Sequence, residues 1–256
     1  MNIGCYVISL NSESIRRERI TAQLDMAFEF VNAVDLREYD ENKIQEYLHQ
    51  QAPSLSSPAR STLTKGEVGC SLSHLKALNK FINSSYEYAL ILEDDALLPD
   101  DLKNTLQNIS NNLTCSWDFI LLGYSKLSKA EALNFYKMEP MISLDRINGF
   151  SIGYVWKNWT SGTVAYLVTR SAASKFIHFH NNKIFTVADD WDFFTRNFKL
   201  NIRHCRPLLV YEDFTNLKSS IEDERGTFIA NTPLVPTVLR IIRGFIRKVI
   251  MMLRVL

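Results

Sequence analysis

A chain of 256 residues is long enough to bury one large core, or one domain with an appendage. With 46% hydrophobic and 22% charged residues it is neither disordered nor fibrous, and a net charge of +1 excludes a general polyanion binder, so no nucleic-acid partner is expected. Cys5, Cys70, Cys115 and Cys205 form no C-x-x-C pair, a spacing that points to neither a zinc site nor a disulfide framework.

The N-terminal apolar run Ile3–Leu10 is too short for a secretory signal and lacks a basic leader. No stretch offers the ~18 uninterrupted apolar residues of a membrane span. A reducing cytoplasm is the expected compartment.

In chain order, Ile3–Leu10 reads as a buried strand, Asn11-Ser12-Glu13-Ser14 as a turn, and Ile15–Leu24 as a helix carrying Arg16, Arg17 and Arg19. Strand, polar turn and helix open a nucleotide-binding α/β unit, where a helix N-terminus and its arginines can meet a pyrophosphate. The alternative for each arginine is a solvated helix face. Phe28–Val31 reads as a short strand, Glu41–Gln51 as a helix, and the Pro- and Ser-rich stretch 52–63 as a loop.

A helix of about twenty residues starts near Thr64, with Val68, Leu72, Leu75, Leu78 and Ile82 as its buried stripe. Gly69, Cys70, Ser71 and Ser73 are small enough for another backbone or a ligand to approach. Glu67, Ser71 and His74 share one helix face.

Tyr88–Leu92 is an apolar strand that runs into Glu93-Asp94-Asp95. Acids at the carboxyl end of a strand sit at the rim of an open α/β sheet, where ligands bind. Alternation along a strand lets at most two of the three face a common ligand. Oxygen-only ligands suit Mg²⁺ or Mn²⁺. The competing interpretation is a solvated acidic turn.

Asp100–Asn111 reads as a helix and Trp117–Leu122 as a strand. Residues 125–157 have no clean periodicity and are expected to be an excursion covering the site. Thr160–Thr169 reads as a small-residue turn feeding a strand, and Ser171–His180 as a helix. A second acidic pair, Asp189-Asp190, precedes an aromatic helix that either residue can cap. Leu200–His204 and Pro207–Glu212 are extended, and a polar loop holds Ser219 and Ser220. Alternating strands and helices predict an α/β fold with a mostly parallel central sheet covered on both faces.

Several blocks resemble glycosyltransferase family 25, the bacterial lipooligosaccharide galactosyltransferase group with the procollagen galactosyltransferases as relatives. They are Tyr6-Val7-Ile8-Ser9-Leu10-Asn11, Arg16-Arg17, Gly66-Glu67-Val68-Gly69-Cys70-Ser71-Leu72-Ser73-His74 and Ile91-Leu92-Glu93-Asp94-Asp95. Gly162-Thr163 with Tyr166, Asp189-Asp190 and Ser219-Ser220-Ile221 continue the similarity in order.

The resemblance implies a GT-A type fold, a single nucleotide-sugar-binding domain over residues 1–235, and a UDP-sugar donor, most often UDP-galactose. It also implies inversion to a β-linkage, a divalent cation (Mn²⁺ or Mg²⁺), and a lipooligosaccharide or lipopolysaccharide acceptor. Glu93-Asp94-Asp95 takes the place of the GT-A acidic motif, with the cation on Asp95 and with Glu93 or Asp94 in support. Ser9, Leu10, Asn11, Arg16 and Arg17 are expected at the nucleotide, with Glu67 and His74 as scaffold. One-step inversion needs a carboxylate base, for which Asp190 is the first choice and Asp189 the second. Where many members have Pro-Val-Asp this chain has Ala188-Asp189-Asp190, which leaves two candidates. Three rivals stand beside this expectation: the same transfer from UDP-glucose or another hexose donor, a non-catalytic carbohydrate- or partner-binding member of the fold, and a Mg²⁺-dependent phosphohydrolase.

Residues 236–256 contain Arg240, Arg243, Arg247, Lys248 and Arg254 and no acid. The arginines line one helical face, while Val238, Ile241, Ile242, Phe245, Val249 and Met252 line the other. This predicts an amphipathic anchor lying on an anionic membrane surface, the cytoplasmic face of the bacterial inner membrane, beside a lipid-linked oligosaccharide acceptor. The alternative is a helix docked on the domain or on a second subunit.

Overall fold

A computed structural model describes residues 2–49, 55, 62–158, 162–214 and 237–253. Its centre is an eight-stranded mixed sheet in the order β2-β1-β3-β8-β5-β9-β7-β6. The strands are β1 (Ile3–Ser9), β2 (Glu29–Asn32), β3 (Tyr88–Glu93), β5 (Phe119–Leu121), β6 (Met141–Ile147), β7 (Phe150–Val155), β8 (Ala165–Thr169) and β9 (Ile202–Arg206). A separate ribbon pairs β4 (Ala96–Leu97) with β10 (Tyr211–Glu212).

The α/β class expected from the alternating pattern is present. β1 runs parallel to β2 and β3, and β5 parallel to β9. β8 runs antiparallel between β3 and β5, and the β6–β7 hairpin closes the far edge antiparallel. The parallel trio β2-β1-β3 brings three carboxyl ends level, with Ser9 opposite Asn32 and Ile8 opposite Glu93.

β3 has layers on both faces, which is why its sequence is a continuous apolar run. Ala89 and Ile91 enter one core with Phe119, Tyr166, Phe176 and Trp191, beneath α3 (Lys65–Ile82), α6 (Arg170–His180) and α7 (Trp191–Phe198). Leu90 and Leu92 enter the other with Ile20, Leu102 and Leu106, beneath α1 (Ser14–Gln23) and α4 (Leu102–Asn112). α3 starts at a capping box in which Thr64 and Glu67 satisfy each other's backbone N–H groups. The helix then presses onto the segment after β2: a Cβ on Gly69 would lie 2.6 Å from the Val34 carbonyl oxygen. Close approach of a second backbone is thus what the small residues of this helix provide.

Two expectations change. α2 (Glu41–Gln45) is half the helix expected and gives way to turns and a bridge from Leu48 to Ile184. Residues 125–157 do not form a cover over the site. They make α5 (Lys129–Met138) and the β6–β7 hairpin, which widens the sheet at the edge remote from β1. The hairpin turn is Asn148-Gly149, with φ of 47° and 87°. Asn-Gly is the dipeptide such two-residue turns favour. An edge hairpin buries less than a central strand, and its register shifts between Ser143 and Asp145, so its apolar spacing is irregular.

The C-terminal helix α8 (Thr237–Leu253) docks on α5 and β6 through its arginine side. Arg243 and Arg247 bind Glu139 at 3.0 and 2.8 Å, Arg247 lies over the Trp156 ring, and Met251 is buried. Buried Gly244 allows the close approach, because a Cβ there would collide with the carbonyl oxygens of Lys137 and Met138. Val238, Leu239, Ile242, Phe245, Ile246, Val249, Met252 and Leu253 remain exposed on the opposite side. Replacing Gly244 with leucine is expected to release α8 and leave the body intact. Limited proteolysis should then remove a C-terminal fragment several-fold faster at an unchanged melting temperature of the remainder.

Candidate active site

The level carboxyl ends of β1, β2 and β3 open onto a cleft of about 210 Å³. The β1–α1 turn supplies Ser9, Leu10, Glu13 and Arg16; the segment after β2 supplies Val34 to Arg37; α3 supplies Cys70, Ser73 and His74; the end of β3 supplies Glu93, Asp94 and Asp95. The wall from the β1–α1 turn and the segment after β2 mixes Arg16 and Arg37 with Glu13 and Asp35, and the wall at the end of β3 is acidic.

The two walls meet at Arg16. Its Nη1 donates to Asp94 Oδ1 at 2.8 Å and reaches Asp95 Oδ2 at 3.5 Å. Burial works against the Arg16 charge, but the hydrogen bond and charge of Asp94, with the charges of Asp95 and Glu13, outweigh it and raise its affinity for a proton. Asp95 is strained electrostatically. Burial, followed by the charges of Glu93, Glu212 and Asp94, pushes its carboxyl well above the usual 3.8, against the pull of Arg16. Its Oδ1 is buried with no hydrogen-bond partner.

Glu93 has the opposite environment. Its Oε1 accepts from the Thr163 hydroxyl and lies 3.2 Å from His74 Nε2. Burial pushes this carboxyl up, but the His74 and Thr163 hydrogen bonds and the His74 and Arg16 charges bring it below its usual range. His74 Nδ1 in turn lies 3.0 Å from the Tyr166 hydroxyl. Glu212, on β10, is raised by burial and by the Glu93 charge, against a backbone hydrogen bond from Lys126. The β4–β10 ribbon holds it there, helped by the Asp213 N–H donating to the Asp95 carbonyl.

The arrangement fits a divalent cation. An unpartnered buried carboxylate oxygen on Asp95, among oxygen donors and an excess of negative charge, is the donor set a hard cation takes. Asp95 and Asp94 would hold the ion, with Glu212 near enough to feel the same charge.

Of the residues expected from sequence, Ser9, Leu10, Arg16, His74, Glu93, Asp94 and Asp95 line this one cleft. Arg17 and Asn11 do not. Arg17 braces the turn: it donates to the Ser9 carbonyl and hydroxyl, to Asn11 and to Asn32, and lies over the Phe30 ring. Glu67 is buried in the α3 capping box, a role in the helix and not at the cleft surface. Asp190 caps α7, with Oδ1 accepting the Phe193 N–H and Oδ2 the Thr186 hydroxyl. Asp189 Oδ2 accepts the Gly162 N–H, one residue before the Thr163 that bonds Glu93. Neither aspartate lines the cleft, and Ser219-Ser220-Ile221 lies outside the described residues.

Asp35, Arg37 and Glu212 are additions from the structure, and Cys70 and Ser73, read from sequence as small residues a ligand can approach, line the cleft. Glu212 carried a usable signal, an acidic Glu-Asp pair closing the extended segment 207–212, the same pattern as β3. Asp35 and Arg37 pair with each other in a loop without periodicity and had none.

A sheet whose parallel strands deliver acids and an arginine to one cleft defines an α/β protein with a ligand site at its strand ends. Residues 2–191 match the family described as "Glycosyltransferase family 25 (LPS biosynthesis protein)", and the chain belongs to that family. It is 26% identical to procollagen galactosyltransferase 1 of Danio rerio over 67% of this chain and 28% of that protein. It is 27% identical to an inactive glycosyltransferase 25 family member 3 of Mus musculus over 67% and 28%, respectively. It is also 27% identical to a putative glycosyltransferase of Haemophilus influenzae over 83% and 64%. The chain therefore spans between 28% and 64% of the length of these relatives.

The raised Asp95 carboxyl has a pH signature. Ionising it in the folded protein is opposed, so the stability it contributes is fully present below the unfolded value of 3.8 and is lost as pH rises towards the folded value. In metal-free protein, Asp95→Asn is expected to raise the melting temperature at neutral pH. The gain should shrink as pH falls towards 3.8, and Mn²⁺ should stabilise only the native protein.

Proposed function

We propose that this chain is an inverting hexosyltransferase that uses a UDP-sugar, with galactose the hexose favoured by its resemblance to galactosyltransferases. The observation that carries the proposal is the buried, unpartnered Asp95 Oδ1, on the same carboxylate whose Oδ2 meets Arg16. An acidic tip that takes a cation and an arginine that takes a phosphate are what a nucleoside diphosphate leaving group needs. The cation, Mn²⁺ or Mg²⁺, supplies Lewis-acid neutralisation of the departing diphosphate.

In this reading the chain's own groups act as follows. Asp94 and Asp95 hold the ion, and Arg16, released from Asp94, turns its guanidinium to the diphosphate. Ser9 and Leu10 present the turn that Arg17 braces. His74 and Thr163 fix Glu93 in its ionised state, so that it orients the site without consuming a proton.

The base falls to Asp189 in preference to Asp190. Asp189 accepts the N–H of Gly162, next to the Thr163 whose hydroxyl bonds Glu93, whereas Asp190 caps α7. Asp189→Asn is expected to lower kcat by about 10²–10⁴-fold. Asp190→Asn is expected to cost about 1 kcal/mol as a lost cap and to keep most transfer. The reverse pair of results would return the role to Asp190.

The acceptor in this reading is a lipid-linked lipooligosaccharide sugar, met at the cytoplasmic face of the bacterial inner membrane. No helix among the described residues is long and apolar enough to cross a membrane. The exposed apolar side of α8, flanked by Lys248, supports contact with the bilayer surface. Deleting residues 237–256 should abolish sedimentation with anionic liposomes and leave transfer to a soluble acceptor intact. A panel of UDP-sugars with and without Mn²⁺, read by UDP release and saccharide product, tests the reaction itself. Donor binding with no turnover of any sugar would instead favour the non-catalytic reading, to which the similarity to an inactive relative lends weight.

A further inference from the structure

The cleft holds a second cluster whose chemistry differs from the acidic tip. Cys70 and His74 lie one turn apart on α3, and Glu93 ends the neighbouring β3. The Cys70 sulfur, a His74 ring nitrogen and a Glu93 carboxylate oxygen all lie within 4.8 Å of one another, and all three residues line the cleft. We propose that Cys70, His74 and Glu93 form a binding site for a thiophilic divalent cation such as Zn²⁺, distinct from the Asp94–Asp95 tip.

Sulfur, imidazole and one carboxylate make a soft, three-ligand set that selects Zn²⁺ over Mg²⁺ or Mn²⁺. Three protein ligands leave a fourth position, and here it faces the cleft. Supporting groups are already in place. Tyr166 Oη sits 3.0 Å from His74 Nδ1, and the Thr163 hydroxyl holds Glu93. Such outer contacts orient metal ligands. On binding, His74 Nε2 gives up its contact with Glu93 and takes the metal. Its ring proton moves to Nδ1, which donates to Tyr166 Oη, and Cys70 loses its thiol proton to solvent. Because the sulfur must lose its proton to bind the ion, affinity rises with pH.

Glu93 would then be shared between this ion and the site described above, which places a soft cation where it blocks the Glu93–His74 hydrogen bond. Zn²⁺ is therefore an inhibitor of whatever the cleft does when Glu93 is held by His74.

The test is a Co²⁺ titration of the full chain. One equivalent should produce a near-ultraviolet thiolate-to-cobalt charge-transfer band, which Zn²⁺ displaces and Mg²⁺ does not. Cys70→Ser should abolish the band and Cys115→Ser should keep it. Tyr166→Phe should keep it with affinity weakened roughly 10–100-fold. A measurement on the native protein guards against a misfolded variant: Zn²⁺ should protect Cys70 from alkylation, mapped by mass spectrometry, and leave Cys115 unprotected. No charge-transfer band, a band that survives loss of Cys70, or equal alkylation with and without Zn²⁺ overturns the proposal. None of these readouts depends on sugar transfer, so the two proposals fail separately.

Discussion

The structure is built around an unfavourable accumulation of negative charge. Glu93, Asp94, Asp95 and Glu212 converge where β3 meets the β4–β10 ribbon, and Asp95 is raised by burial and by its like-charged neighbours. A buried carboxylate oxygen without a partner has a real energetic cost, and a fold that only had to be stable would not keep one. Arg16 offsets part of it with contacts to two of the acids. A group that brings positive charge to the tip would offset the remainder.

The fold makes this accumulation possible by supplying stiffness around it. β3 is covered on both faces by separate cores, so its end cannot relax away from the strain. The capping box starts α3 beside the cleft, and Gly69 lets that helix reach the segment after β2. His74 is held between Tyr166 and Glu93 and cannot swing out to solvent. Arg17, next to Arg16 in sequence, ties Ser9 and Asn11 of the β1–α1 turn to Asn32 at the end of β2. Two adjacent arginines thus divide the work, one positioning the backbone and the other meeting the acids.

The C-terminal helix shows how an amphipathic pattern can be satisfied in an unexpected direction. Arg243 and Arg247 turn inward to Glu139 and Trp156, and most of its apolar residues stay outside, Met251 excepted. A single acid and a glycine-sized gap are enough to set that orientation. The periodicity of residues 238–254 defines two faces equally well whichever one meets the protein.

The sequence by itself determined the fold class, the strand that carries the acids, the helix that carries His74 and part of the cleft lining. These follow from local rules: an apolar run must be buried, a capping box starts a helix, and acids after a strand stand at its carboxyl end. Tertiary structure decided what depends on distant partners. It assigned Arg17 and Glu67 to bracing and capping, tied up both oxygens of Asp190, brought in Glu212 from a segment over a hundred residues away, and set Cys70 beside Glu93. The spacing of the cysteines gave no sign of the Cys70–His74–Glu93 cluster, because two of its three residues are not cysteines and one lies on another element. A side chain's chemistry is written in its own residue, but the hydrogen bonds and charges that spend or spare it come from chains of contact that linear order does not record.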